Sequence, residues 1–247
     1  MDFGAKYGPW AVIAGASEGL GVSFAEQLAA AGINIILIAR NAEKLDDVAA
    51  MLVDRFAVQV RKAVIDLTSD DMVERVAAAS EDVDVGFLLY NAGAVSGPKL
   101  VIDQGREEIM HTIRLNTIGQ TMLAQHFGQK MVARGRGGIV LVGSGGAHAG
   151  CYQLAVYSAV KAYTMTFAEG LWAEMQPSGV DVAALMIGRT RTPALERSEY
   201  GQDSGFAAAE PKAASRPAGA STDTPLPAKP RSMPRWRSRA PLASATW

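Results

Sequence analysis

The segment WAVIAGASEGLG, residues 10–21, begins as an apolar run and ends in a cluster of glycines. The apolar residues 10–14 are too few for a helix and suit a buried strand. Residues 22–31 then show the apolar spacing of a helix, and Gly32 follows as a stop signal. A strand, a glycine-rich turn and a helix in this order can bind the diphosphate of a dinucleotide. The glycines let the backbone approach the phosphates, and the helix N-terminus offers unpaired N–H groups.

Beyond this segment, apolar strands and helical segments alternate along the chain. The alternation predicts an α/β fold, a doubly wound parallel sheet (Rossmann fold) with six strands and right-handed crossovers. The third strand starts with alternating polar residues, which favours an edge of the sheet. The further predicted strands are residues 33–39, 58–65, 85–89, 139–142 and 180–186, and the further helices are 42–56, 70–79, 103–131 and 152–175.

Composition narrows the possible partners. The chain has 247 residues, enough for one sizeable α/β domain, and a net charge of −1, which gives no reason to expect nucleic-acid binding. Its single cysteine, Cys151, excludes a disulfide within the chain and favours a reducing compartment. No apolar run approaches the roughly 20 residues that span a bilayer, and the N-terminal residues lack the pattern of a signal peptide. We therefore expect a cytoplasmic protein without a membrane partner. His111 and His126 have no metal-ligand spacing, so no metal is expected.

Arg40 follows the second predicted strand directly, at the point where a dinucleotide fold meets the adenosine ribose. An acidic residue there would bind a ribose 2′-hydroxyl, whereas an arginine can accommodate a 2′-phosphate. The sequence therefore predicts NADP(H) in preference to NAD(H). The alternative is a solvated arginine at the end of a strand.

Tyr157 and Lys161 are four residues apart in a predicted helix, so their side chains share one face. A phenol beside an ammonium group forms a plausible proton-transfer pair, because a nearby positive charge favours the phenolate. Ser144, at the end of the preceding strand, could hydrogen-bond the same substrate oxygen. The alternative is an ordinary surface helix. Asn116, in the middle of a predicted helix, is either exposed or fixed by a specific hydrogen bond.

Together these residues resemble the classical short-chain dehydrogenase/reductase family over residues 9–196. The glycine motif occupies residues 14–21, with Ala14 in the first place, and residues 90–93 match Asn-Asn-Ala-Gly, with Tyr90 in the first place. Ile187-Gly188 matches the turn after the sixth strand. The resemblance implies cofactor contacts from these residues: Gly15, Ser17, Glu18, Gly19, Leu20, Gly21, Arg40, Asp66, Leu67, Asn91, Ala92, Gly93, Tyr157, Lys161, Gly188, Thr190 and Thr192.

The resemblance also implies a catalytic role for Asn116, Ser144, Tyr157 and Lys161. Tyr157 would be the acid in reduction and the base in oxidation, while Lys161 would lower its pKa and hold the nicotinamide ribose. Ser144 would hydrogen-bond the substrate oxygen, and Asn116 would hold a water that links Lys161 to solvent. The expected function is an NADP(H)-dependent oxidoreductase that interconverts a small-molecule ketone and a secondary alcohol. The alternative is a dinucleotide-binding protein with impaired or no catalysis.

The character of the sequence changes after residue 196. Residues 197–247 hold seven of the eleven prolines and eight Lys or Arg against four Asp or Glu, without helical or strand periodicity. We expect a catalytic domain at 1–196 and an irregular or disordered tail at 197–247. The lid and seventh strand expected for the family are not recognisable there. The sequence therefore does not indicate which ketone or alcohol is the substrate, or whether the chain forms the homo-oligomer that is usual in the family. The tail could be out-of-frame translation or a basic segment that contacts acidic surfaces.

Overall fold

A computed structural model describes residues 3–93, 97–188, 190, 193–196 and 211 of the chain. All of these lie within one compact unit, Met1–Ser215. Apart from residue 211, the predicted tail at 197–247 lies outside the described residues, so the proposed domain boundary stays a prediction.

Six parallel strands form one sheet in the order β3-β2-β1-β4-β5-β6. This confirms the predicted doubly wound Rossmann sheet and places β3 at an edge, as its polar start indicated. The chain reverses its direction of travel across the sheet between β1 and β4, and ligands of such sheets bind at the carboxyl ends of the strands beside that point. The strands are β1 Trp10–Ala14, β2 Asn34–Ala39, β3 Val60–Val64, β4 Val85–Tyr90, β5 Gly137–Ser144 and β6 Val180–Ile187.

Helices cover the strands and connect them. Asn41 caps α3 (Ala42–Arg55), because its side-chain oxygen accepts a hydrogen bond of 2.9 Å from the Lys44 N–H. Short 3-10 turns occupy Val101–Asp103, Gly145–Ala147 and Gln176–Ser178. The helices are α1 Phe3–Tyr7, α2 Gly19–Ala30, α3 Ala42–Arg55, α4 Met72–Ala79, α5 Arg106–Ile113, α6 Gly119–Arg134, α7 Ala155–Met175 and α8 Pro193–Glu196.

Alternate side chains of the central strand enter two apolar clusters, one on each face of the sheet. Val12 packs with Leu88 and Phe127 on one face, and Ile13 packs with Leu37 on the other. All five are fully or almost fully buried. Burying an aliphatic or aromatic side chain of this size stabilises a fold by about 1.5–3 kcal/mol. The carboxyl end of β1, which carries the glycine turn, is therefore held rigidly from both sides.

The sequence predicted a long, mostly helical segment over residues 103–131, and the structure is helical there but not as one unbroken α-helix. The structure has α5, then a π-helical turn at Arg114–Ile118, then α6. In the turn the Gly119 N–H donates to the Arg114 carbonyl, five residues back, where an α-helix would bond four residues back. The hydrogen bond from Tyr90 to the Leu115 carbonyl within this turn comes from another element, so the apolar pattern of residues 103–131 could not reveal it.

Helix α1 was not predicted, since five residues carry too little periodicity. It packs against the sheet, and the centroid of the Tyr7 ring lies 5.6 Å from that of the Phe87 ring on β4. The side chains of Lys6 and Tyr7 both donate hydrogen bonds to Asp181 of β6. The helix thus closes the end of the sheet opposite to the candidate site.

Candidate active site

The glycine turn after β1 is packed too tightly for side chains at two of its positions. Gly15 has φ +86°, and a Cβ atom there would lie 2.7 Å from the Ala92 nitrogen. A Cβ atom on Gly21, in the first turn of α2, would lie 2.1 Å from the Gly15 carbonyl oxygen. The N-cap residue of α2, Glu18, makes no side-chain hydrogen bond to the helix start. The start of α2 thus adjoins a turn in which Gly15 and Gly21 leave no room for side chains, and a helix N-terminus in such a turn fits a diphosphate.

The Asn91 segment, residues 91–93, fastens β4 to this turn. The Asn91 side-chain amide donates 2.8 Å to the Gly15 carbonyl, and the N–H groups of Asn91 and Ala92 donate 2.9 and 2.8 Å to the Ala14 carbonyl. The glycine turn and the Asn91 segment, bonded between residues 76 positions apart in sequence, are thus one hydrogen-bonded unit.

Three of the predicted cofactor residues around the glycine turn share the same degree of exposure. Ser17, Glu18 and Leu20 are half-buried. Glu18 carries an ion pair with Lys44, 2.5 Å between Nζ and Oε2, so its carboxylate is held toward α3.

Arg40 is exposed where β2 ends, and Asp66 follows β3. Burial raises the pKa of Asp66, but hydrogen bonds from the Thr68 N–H at 2.9 Å and hydroxyl at 2.8 Å outweigh it, and the Arg40 charge adds to them. The net pKa of Asp66 is therefore lowered, so the carboxylate is charged and fixed in place. Leu67 is 5% exposed and packs into the core, so its side chain does not face the turn.

Ser144 is the last residue of β5, and its hydroxyl meets the phenol of Tyr157 on α7. The Ser144 oxygen accepts a hydrogen bond of 3.2 Å from the Gly146 N–H, which fixes the direction of the side chain. Burial raises the pKa of Tyr157, and the hydrogen bond with Ser144 lowers it by a smaller amount. The phenol thus remains a proton donor at neutral pH.

Lys161 is almost completely buried, at 6% exposure, one helical turn after Tyr157. Its Nζ lies 5.8 Å from the centroid of the Tyr157 ring and donates a hydrogen bond of 3.1 Å to the Val142 carbonyl. Burial lowers the pKa of Lys161 to about 8.

Burial opposes the expected lowering of the Tyr157 pKa by Lys161 in two ways. Burial of the phenol is the dominant influence, and it raises that pKa. The ammonium group is itself buried, so its own charge is disfavoured.

Asn116 is fixed inside the protein, which decides between the two alternatives left by the sequence. It is 2% exposed, and its side-chain nitrogen donates 2.9 Å to the Thr112 carbonyl. Its Oδ1 borders the same small space as Lys161, because a Cβ atom on Gly93 would lie 3.0 Å from Oδ1 and 3.2 Å from the lysine Nζ. The structure therefore brings Asn116, Lys161 and the Asn91 segment together.

Beyond β6, the predicted cofactor residues are only partly described. Gly188 is exposed, and the Thr190 hydroxyl donates 3.1 Å to the Gly188 carbonyl. Thr192 lies outside the described residues. His148 is exposed in the loop after Ser144.

Within the described part of the chain, no group of three His, Cys, Asp or Glu residues could hold a metal ion. None of the helices described is long and apolar enough to cross a membrane.

Sequence reasoning missed two polar residues beside Asn116. The Tyr90 hydroxyl donates 2.7 Å to the Leu115 carbonyl. The Gln120 amide donates to the Asn116 carbonyl and, at 3.0 Å, to the Thr164 hydroxyl of α7. The one signal in the sequence was Tyr90, which stands where the motif has asparagine.

A family model described as short chain dehydrogenase matches residues 9–203. The chain belongs to the short-chain dehydrogenase family. A 7beta-hydroxysteroid dehydrogenase from Clostridium sardiniense is 32% identical over 210 residues, 85% of this chain and 80% of that protein. The human protein named inactive hydroxysteroid dehydrogenase-like protein 1 is 35% identical over 73% of this chain and 56% of its own length.

Among solved structures, a short-chain dehydrogenase from Sphingobium yanoikuyae, in complex with NADPH, superposes with a TM-score of 0.78. It is 33% identical, and the match covers 84% of this chain and 81% of that one. Members of this short-chain dehydrogenase family thus include a protein solved with NADPH and one named inactive.

Proposed function

We propose that the chain is an NADP(H)-dependent oxidoreductase that interconverts a carbonyl group and a secondary alcohol. The observation that carries the proposal is the convergence of four side chains beside the glycine turn. Ser144 hydrogen-bonds Tyr157, the Lys161 ammonium lies 5.8 Å from the Tyr157 ring, and Asn116 borders the space next to that ammonium. Solvated residues on a surface helix would not be buried and joined in this way.

The cofactor supplies the hydride, and the chain supplies its binding surface. The turn of Gly15 and the start of α2 would hold the diphosphate, because nothing larger than glycine fits at its closest approaches. The exposed guanidinium of Arg40 would pair with a 2′-phosphate, and Asp66 would face the adenine. The NADPH complex of the 33% identical dehydrogenase supports this choice of cofactor.

Proton transfer follows from the burial of the tyrosine. The Tyr157 Oη carries a proton at neutral pH, since burial raises its pKa, and it can donate that proton to a carbonyl oxygen held by the Ser144 hydroxyl. The phenolate left behind would be stabilised by the Lys161 ammonium, which is mostly charged below its pKa of about 8. Asn116 would keep the solvent route to Lys161 ordered, so that the proton is replaced.

For the substrate we propose a ketone or secondary alcohol of apolar character. The relative from Clostridium sardiniense is named for a hydroxysteroid. On this chain the loops beside the site expose Leu100, Ile102 and Tyr152 at 37%, 88% and 80%, and the Lys99 N–H joins the two loops by a bond of 3.1 Å to the Gln153 carbonyl.

The test is oxidation of NADPH and of NADH by the full-length chain with a steroid ketone, a 3-oxoacyl ester and a small ketone. Nucleotide binding is measured in parallel by fluorescence. We expect turnover of at least one ketone, faster with NADPH than with NADH. Binding of NADPH without turnover of any ketone would favour the alternative, a dinucleotide-binding protein that has lost catalysis.

A further inference from the structure

The π turn at Arg114–Ile118 has main-chain carbonyls that depend on side chains from other elements. A π turn shifts the hydrogen-bond ladder by one residue, and buried carbonyls inside it need donors from elsewhere. Here the Leu115 carbonyl receives the Tyr90 hydroxyl at 2.7 Å, and the Asn116 carbonyl receives the Gln120 amide. Two neighbouring carbonyls are thus held by two different side chains.

Tyr90 ends β4 and is 2% exposed, among the largest fully buried side chains of the described residues. A buried phenol requires a hydrogen-bond partner, and the Leu115 carbonyl supplies it. Burial also raises the pKa of Tyr90 strongly, so the phenol stays a donor wherever the protein is folded. The bond therefore runs from a rigid strand of the core to the residue next to Asn116.

Gly119, directly after the turn, leaves the space that the Tyr90 phenol occupies. A Cβ atom on Gly119 would lie 2.3 Å from the Tyr90 hydroxyl oxygen and 3.2 Å from the ring carbon that carries it. The tyrosine can reach the Leu115 carbonyl only because position 119 has no side chain. Tyr90 and Gly119 are therefore a matched pair.

We propose that Tyr90 is a positioning residue that sets Asn116 against Lys161 by holding the Leu115 carbonyl. The proposal rests on the proposed function, in which Asn116 orders the proton route to Lys161. The side-chain oxygen of Asn116 lies close to the point where a Gly93 Cβ would stand, and the Lys161 ammonium borders that point from the other side. A shift of the neighbouring peptide would move that oxygen, because the two residues share one turn.

The first test is Tyr90→Phe, which removes one hydroxyl and keeps the ring that fills the core. We expect kcat for ketone reduction to fall about tenfold, the KM for NADPH to stay within about twofold, and the pH profile to become that of Asn116→Ala. The double variant should lose no more than Asn116→Ala alone, because both changes act on one group. The matched control is Ser80→Ala, which removes a buried hydroxyl bonded to the Val76 carbonyl at 2.9 Å, on α4. It should leave kcat unchanged.

The second test is independent of turnover. Amide hydrogen exchange over residues 114–119 should accelerate at least tenfold in Tyr90→Phe and stay unchanged in Ser80→Ala. Gly119→Ala should lower the thermal midpoint, and adding Tyr90→Phe should restore part of it, since the 2.3 Å clash is then gone.

The outcomes distinguish a failure of the proposed function from a failure of the positioning role of Tyr90. Wild-type kcat in Asn116→Ala would contradict the role of Asn116 in the proposed function. Wild-type kcat in Tyr90→Phe, with Asn116→Ala impaired, would overturn the positioning role alone. If no ketone is turned over, unchanged exchange over residues 114–119 in Tyr90→Phe would overturn it as well.

Discussion

The Lys161 ammonium donates a hydrogen bond of 3.1 Å to the Val142 carbonyl, two residues before the end of β5. This bond connects α7 to β5, the strand that carries Ser144. The same strand therefore fixes the positions of the Lys161 ammonium and the Ser144 hydroxyl. The lysine is buried, and its pKa is lowered to about 8. Its charge can therefore change within the working pH range of an enzyme.

Ketone reduction should lose rate as the pH rises through about 8, the pKa of Lys161. Above that pH the ammonium loses its proton, and the phenolate formed when Tyr157 donates its proton is no longer stabilised. The measurement is kcat/KM for a ketone from pH 6 to 10 at saturating NADPH. In Lys161→Arg, which stays charged over this range, the break near pH 8 should disappear. A flat wild-type profile to pH 10 would contradict the assignment.

Lys161→Met should raise the stability of the protein at pH 7. The folded state holds Lys161 with a pKa of about 8, whereas the usual lysine pKa is 10.5. Burial of the charged group therefore disfavours folding by its full amount below pH 8. That penalty is relieved as the pH rises from 8 toward 10.5, where the unfolded chain binds a proton that the folded chain has lost. We expect a gain on the order of 1–3 kcal/mol in the free energy of unfolding at pH 7, narrowing by pH 10.

Urea denaturation at pH 7 and pH 10 measures this gain. The control is Lys62→Met, because Lys62 is exposed on β3 and pairs with Asp46 at the surface. It should change stability by less than about 1 kcal/mol at either pH. The predicted gain over wild type is larger at pH 7 than at pH 10. If the gain of Lys161→Met over wild type were instead smaller at pH 7 than at pH 10, the account would be refuted.

Gly93→Ala should impair catalysis while leaving the fold intact. The added Cβ would lie 3.0 Å from the Asn116 Oδ1 and 3.2 Å from the Lys161 Nζ, so one of these groups must move by a few tenths of an ångström. We expect kcat to fall about tenfold, since small displacements of catalytic groups have large effects on rate. Steady-state kinetics with a thermal melt checks this. Gly105→Ala, where a Cβ would meet nothing within 4 Å, is the control and should be neutral.

Arg40→Ala should weaken NADPH selectively. The exposed guanidinium at the end of β2 would pair with the 2′-phosphate, which NADH lacks. We expect the KM for NADPH to rise about tenfold and that for NADH to stay within about twofold. Arg55→Ala, which removes an exposed arginine paired with Glu26 on α2, should change neither value. An equal rise in the KM for NADPH and for NADH would mean that Arg40 does not bind the 2′-phosphate.

The sequence predicted the six strands and the edge position of β3, because buried parallel strands are continuous apolar runs with clear ends. The sequence did not predict the π turn that contains Asn116, because the Tyr90 hydroxyl that bonds its Leu115 carbonyl comes from a strand 25 residues away in the chain. The raised pKa of Tyr157 could likewise not be predicted from the sequence. It comes from burial of the phenol when α7 packs, which the spacing between Tyr157 and Lys161 does not reveal.

The most direct test of the central claim is ketone-dependent NADPH oxidation by Tyr157→Phe, with NADPH binding measured on the same protein. Removing the phenol removes the proton donor, so turnover should fall by at least about a hundredfold while NADPH binding stays within about twofold. Tyr163→Phe is the control, because Tyr163 lies on the same helix with its hydroxyl bonded to Thr121, and it should keep turnover. Wild-type turnover in Tyr157→Phe would contradict the account, since another group would then have to supply the proton.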